Sequence, residues 1–177
     1  MGRSRYKIYD QQSAHFLTCT VVDWIPLFAN PMAAEIVLDS LAYLQKHERI
    51  TLWAYVIMEN HVHLIASADY LSREISAFKS YTARQIVDML KDTASYAMLH
   101  RLRWHKRAHK RGREYQVWQE GSHPKELDGA AVIEQTIDYI HTNPVKRGYV
   151  DDTRHWRYSS ARNYAREQGL IEVRLAL

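Results

Sequence analysis

An α+β fold is what this sequence predicts, and three observations carry it. Strand-like and helix-like segments alternate in the order strand, helix, strand, strand, helix, with a later strand and helix behind them. The two middle strands are separated only by Glu59-Asn60, so they form a hairpin. The helical segments carry one apolar stripe each, as helices laid on a sheet do. That order is the split βαβ arrangement of a ferredoxin-like antiparallel sheet with flanking helices, here with a C-terminal extension.

Taken in order, His15 to Val22 is rich in β-branched and aromatic residues and reads as the first strand. Asn30-Pro31 starts a helix, a capping residue followed by proline at the first helical position. Ile36, Val37, Leu41 and Leu44 then recur at helical spacing. Leu52 to Met58 is apolar on both faces, as a central strand should be. His61 to Ser67 alternates: Val62, Leu64 and Ala66 form one face, and His61, His63, Ile65 and Ser67 the other. A long helix follows from about Leu71 to Lys91, with Leu71, Ile75, Phe78, Thr82, Ile86 and Leu90 inward and Arg73, Lys79, Tyr81 and Arg84 on its other faces. A further helix spans Thr93 to Arg103, and Tyr115 to Gln119 is an expected edge strand. Ala130 to Thr142 is a helix, stopped by Pro144 because the residue before proline avoids the α conformation.

Composition narrows the function classes. A chain of 177 residues is long enough for one well-buried core and short for two, and no repeat or linker divides it. One domain over residues 1–177 is expected, with a tail from about residue 149. The net charge of +4 favours an anionic partner. The single cysteine, Cys19, rules out an internal disulfide and fits a reducing compartment. Nothing at the start resembles a signal peptide, and no apolar stretch approaches membrane-spanning length, so a soluble cytoplasmic protein is expected.

Two places carry chemistry. His61 and His63 share a strand face, about 6–7 Å apart at Cα, so both imidazoles can grip one metal ion; two ordinary histidines near a loop are the alternative. Tyr139 and Asn143 share a helix face one turn apart, so the phenol and the amide point together. A core tyrosine and a helix-ending asparagine before proline would give the same spacing.

A third place is basic. Arg101, Arg103, Lys106, Arg107, Lys110, Arg111 and Arg113 crowd one acid-free segment, with Trp104, His105 and His109 among them. Such density neutralises phosphates and releases counterions, and Trp104 offers a surface for a base. A solvated loop is the competing reading.

Three motifs in this order resemble one family. His61-Val62-His63-Leu64-Ile65, then Asp138-Tyr139-Ile140-His141-Thr142-Asn143-Pro144-Val145-Lys146-Arg147-Gly148, then Trp156-Arg157-Tyr158-Ser159-Ser160-Ala161 look like the REP-associated tyrosine transposases. These belong to the wider single-tyrosine HUH transposases that act on single-stranded DNA. The likeness runs from His15 to Tyr164.

The resemblance implies that His61, His63 and Asn143 hold a divalent ion, Mg²⁺ or Mn²⁺, and that Tyr139 is the nucleophile. It implies nicking and strand transfer at REP-type hairpins in single-stranded DNA through a 5′-phosphotyrosine. Monomers and homodimers both occur among relatives. Where the family has proline before N-H-x-H, this chain has Glu59, a carboxylate close to the expected metal. Tyr115 and Tyr81 are other candidate nucleophiles, and His123 a further polar group. Lys79, Arg84 and the 101–113 segment are expected to hold phosphates, and Trp156, Arg157, Tyr158, Arg162 and Tyr164 to cover the active site or contact the hairpin, with packing onto the sheet the alternative for Trp156 and Tyr158. Two alternatives stay beside the transferase: a metal phosphodiesterase with no covalent intermediate, and a non-catalytic single-stranded DNA-binding module.

Overall fold

A computed structural model describes residues 8, 10, 12–106, 112 and 114–176. The first helix begins as its sequence requires: the Asn30 side chain accepts from the Met32 amide at 3.0 Å, and Pro31 takes the first helical position. Among the described residues four strands and five α-helices run in chain order. They are β1 (His15–Thr20), α1 (Pro31–Lys46), β2 (Thr51–Ile57), β3 (His61–Ser67), α2 (Leu71–Asp92), α3 (Tyr96–Trp104), β4 (Lys125–Glu126), α4 (Ala130–Lys146) and α5 (Ala161–Tyr164). The strands form one sheet in the order β2-β3-β1-β4, every neighbouring pair antiparallel. This is the predicted ferredoxin-like arrangement.

The sheet separates two apolar layers. Leu17, Cys19, Val21, Val62, Leu64 and Ala66 pack beneath α1 and α2. Ala54, Val56, Met58 and Ile65 pack on the other side, against Ile137 and Ile140 of α4. A register shift between Leu52 and Ala54 explains how Leu52 and Tyr55 reach the same layer despite their odd spacing. His61 and His63 therefore face α4, because Val62 and Leu64 are held by the opposite core.

Two predicted elements differ. Helix α4 does not stop before Pro144; it runs to Lys146 with the proline inside. Proline in a last turn forgoes only one backbone bond. Gly148, at φ 73°, closes the helix, with the Gly148 amide donating to the Val145 carbonyl at 2.8 Å and the Tyr149 amide to the Pro144 carbonyl at 3.0 Å. The expected edge strand at Tyr115–Gln119 is reduced to one bridge, Val21 with Trp118. The fourth strand is Lys125–Glu126, paired with His15 and Phe16. Between them Gly121 and His123 adopt positive φ and Pro124 has no amide hydrogen, which interrupts the ladder.

The chain after α4 lies along the outer edge of β2. The Ile57 amide donates to the Tyr158 carbonyl at 2.8 Å, the Ser160 amide to the Tyr55 carbonyl at 3.0 Å, and the Arg174 amide to the Leu52 carbonyl at 2.8 Å. The Trp156 indole donates to the Ile57 carbonyl at 3.0 Å. Trp156 and Tyr158 are thus packing residues of the sheet. Among the described residues no helix is long and apolar enough to cross a membrane.

Candidate active site

On the α4 face of β3 the two histidines stand with ring centroids 4.6 Å apart, one ring edge-on to the other. Both are buried, at 4% and 7% exposure. Each has one ring nitrogen already engaged. His61 Nδ1 donates to Asn60 Oδ1 at 2.7 Å, and His63 Nδ1 lies 2.9 Å from Thr18 Oγ1. Thr18 is the cross-strand partner of His63 on β1, as Thr20 is of His61. Burial lowers the pKa of both imidazoles, that of His63 to about 3 with the neighbouring His61 adding to the effect; at His61 the Glu59 carboxylate opposes the shift. Both rings are therefore neutral near pH 7.

Tyr139 comes to this pair from α4. Its ring centroid is 5.7 Å from that of His63 and 5.9 Å from that of Phe16, which itself lies 5.0 Å from His63. Ile137 and Ile140 are buried on either side of it in sequence, so the tyrosine sits at the margin of the packed stripe and stays 45% exposed. Lys146 Nζ lies 5.4 Å from the centre of the Tyr139 ring. Asn143 is half-buried one turn further on, and its Nδ2 donates to the Tyr139 carbonyl at 3.4 Å, which leaves Oδ1 as its acceptor atom. The structure thus gathers His61, His63 and Tyr139 by direct ring contact, with Asn143 on the same helix as the phenol.

The other two candidate tyrosines lie elsewhere. Tyr115 packs against the α1–α2 core, with Lys91 over its ring at 5.6 Å. Tyr81 is exposed beside the α1–α2 groove, on the far side of the sheet from the histidines. His123 is exposed at the break in the edge.

The donor chemistry suits a divalent ion. Two neutral imidazoles with their Nδ1 atoms tied to polar neighbours are the usual form of metal-binding histidine pairs. Glu59 adds charge nearby: Oε1 is 3.8 Å from the Arg147 guanidinium, while Oε2 is buried with no hydrogen-bond partner. Among the described residues no cluster of three or more His, Cys, Asp and Glu forms a metal site by itself.

The expected phosphate contacts divide. Lys79 is engaged with the backbone carbonyls of Gln119 and Gly121, so its ammonium pins the broken edge of the sheet. Arg84 is exposed on α2, in the layer opposite the histidines. Arg101, Arg103 and Trp104 are exposed at the end of α3, Trp104 at 77%; Arg103 lies 3.5 Å from Glu114, and Lys106 is half-buried just beyond. Arg107, Lys110, Arg111 and Arg113 lie outside the described residues.

Four residues of this region escape a reading of spacing. Thr18 and Trp24 flank the histidines, and His141 and Ser160 bind one another at 2.8 Å beneath α4. Burial lowers the His141 pKa to about 4, with Asp138 opposing. Only Thr18 had a signal, since a strand paired with β3 places Thr18 and Thr20 on the histidine face.

The family model described as "Transposase IS200 like" matches residues 10–143. Comparison with curated proteins returns no match. Among solved structures, a REP-associated tyrosine transposase bound to a REP hairpin aligns with a TM-score of 0.66 at 18% identity, over 99% of this chain and 96% of that one. A Deinococcus radiodurans R1 protein assigned as a transposase aligns with a TM-score of 0.45 at 19% identity, over 78% of this chain and 97% of that one.

Proposed function

Because this chain belongs to the IS200-like transposase family, we propose that it nicks and rejoins single-stranded DNA at hairpin sequences, using Tyr139 as nucleophile. One observation carries the reading: the Tyr139 ring lies 5.7 Å from His63 and His63 4.6 Å from His61, on one sheet face. A phosphate laid against these three groups would meet nucleophile and metal donors together.

His61 and His63 would hold a Mg²⁺ or Mn²⁺ ion through their Nε2 atoms, with Asn143 completing the set. When bound, the ion supplies Lewis-acid polarisation of a non-bridging phosphate oxygen. The Tyr139 oxygen then attacks phosphorus in line. The new bond is phenolic O–P and the bond broken is P–O3′. The phenolic proton ends on the departing 3′ oxygen, directly or through water. The products are a 5′-phosphotyrosine and a free 3′-OH, so attack by a 3′-OH can reverse the step without ATP. Lys146, over the Tyr139 ring, adds a cation where the phosphate arrives. Arg101, Arg103 and Trp104 lead into the basic run through Arg113 and would grip the strand.

The REP hairpin in the aligned structure supports a folded single-stranded substrate. The test is a denaturing gel of protein mixed with a 5′-hairpin strand labelled downstream of the cut. A label that travels with the protein supports the covalent mechanism. Cleavage without any linked species would replace it by metal-assisted hydrolysis, and binding without cleavage by a non-catalytic module. Both a monomer and a homodimer are compatible with this chemistry.

A further inference from the structure

The segment Val21-Val22-Asp23-Trp24-Ile25 joins β1 to α1, and it is built unusually. Val22 and Ile25 are buried, yet Trp24 between them is 55% exposed. Exposing most of an indole forgoes the burial that normally holds tryptophan in place. The backbone is also strained here. Asp23 and Trp24 have φ of 52° and 54°, a left-handed pair of residues that are not glycine. The turn is held by the Trp24 amide donating to the Val21 carbonyl at 3.1 Å and the Ile25 amide to the Val22 carbonyl at 3.3 Å. This conformation aims the indole at His61, with ring centroids 6.0 Å apart and planes at 74°. Edge-to-face contact on one side leaves much of the indole open to water.

The end of α3 is docked on this same turn, where His105 Nε2 is 3.1 Å from Asp23 Oδ2. Arg103 and Lys106, the described start of the basic run, therefore flank in sequence the histidine docked on the turn that holds Trp24. A strand with its phosphates against this end of α3 would meet the indole beside His61. Indoles stack on any base, and such contacts need an open ring held in one orientation.

We propose that Trp24 is a base-stacking residue for the single strand at the cleavage site, gripping the nucleotide beside the scissile phosphate and fixing how that phosphate meets His61 and His63. The inference rests on the DNA-cleaving function proposed above and adds a contact to it. It assigns a substrate-orienting role to a residue outside the three motifs. A tryptophan serving only to wall off His61 would be covered on both sides, and Trp24 is not.

The test is a binding cycle with the full-length protein and single-stranded hairpin oligonucleotides that carry one abasic site at each position near the cut. Trp24→Ala is expected to weaken binding about tenfold, the size of one base–aromatic stack. At one position the abasic strand should lose as much affinity with the wild type and nothing further with Trp24→Ala. Trp24→Phe, which keeps a smaller ring, should retain part of the affinity, and it replaces the alanine variant if that fails to fold. Unchanged affinity, or losses that add at every position, would overturn the proposal. A change in self-association with unaltered DNA binding would do so too and would mark a protein interface instead. The covalent adduct of the wild type separates the two levels: adduct without the Trp24 coupling sinks this inference alone, and no adduct sinks the covalent reading beneath it.

Discussion

The Tyr139 ring sits 5.7 Å from the His63 ring, although one is carried by the last long helix and the other by an inner strand. Helix α4 lies across β2 and β3 because Ile137 and Ile140 need the apolar surface of Ala54, Val56 and Ile65. Packing thus sets the separation of the phenol from the two imidazoles, and each can be altered without moving the other.

Tyr139→Phe keeps the ring, its contact with Phe16 and its place over His63. Removing a hydroxyl from a half-exposed ring should change stability by about 1 kcal/mol or less. The variant is expected to bind hairpin strands like wild type and to form no adduct on a denaturing gel. Normal cleavage by this variant would place the nucleophile elsewhere.

His63→Ala should abolish divalent-ion-dependent cleavage and leave most DNA binding intact, as should a chelator added to the wild type. Thr18→Val tests the support of that imidazole, since Thr18 Oγ1 lies 2.9 Å from His63 Nδ1. Losing a partner of this kind costs about 10–100-fold in metal affinity or activity. A metal titration of cleavage by Thr18→Val should shift to higher concentration and recover at saturation. An unshifted titration would exclude Thr18 from the site.

Ser160→Ala should destabilise the protein by about 1–3 kcal/mol, because a buried donor is left without its acceptor. Ser160 Oγ accepts from the Tyr55 amide at 3.0 Å and lies 2.8 Å from His141 Nε2, so it joins the tail, β2 and α4. Urea unfolding should show a lower midpoint at an unchanged slope. A midpoint like that of wild type would mean that water replaces the hydroxyl at this junction.

Replacing Arg107, Lys110 and Arg111 together by alanine should weaken single-strand binding and flatten its salt dependence, by a slope of roughly 0.7 for each phosphate that is no longer neutralised. Affinity measured across a salt series decides this, and an unaltered slope would make the segment a solvated loop.

Much of the fold was legible because its signals are local and periodic. Alternation over His61 to Ser67 placed both histidines on one face, and Asn30-Pro31 marked the start of α1. The edge strand was misplaced because alternation at Tyr115–Gln119 says nothing of the break at Gly121 to Pro124, which decides where pairing resumes. Pro144 misled for a related reason: the cost of proline depends on how many turns remain, and Gly148 sets that. Of the candidate site, His61, His63 and Tyr139 were recognisable by motif, whereas Trp24 and Ser160 act through tertiary contacts that no spacing encodes. Lys79 reads in sequence as a cation turned toward phosphate, and only the fold shows its two carbonyl partners.

The tail along β2 has a consequence for how the protein behaves in crowded solution. An open strand edge is a template on which other chains can add. Here the rim of β2 is occupied by residues around Tyr158, Ser160 and Arg174, and β4 at the opposite rim is two residues long and charged at both. A shortened protein ending at Gly148 would keep His61, His63, Tyr139 and Asn143 and still lose its guard against self-templating. It should precipitate or form mixed oligomers while the full chain stays dispersed, so the segment after Gly148 protects the sheet from misassembly.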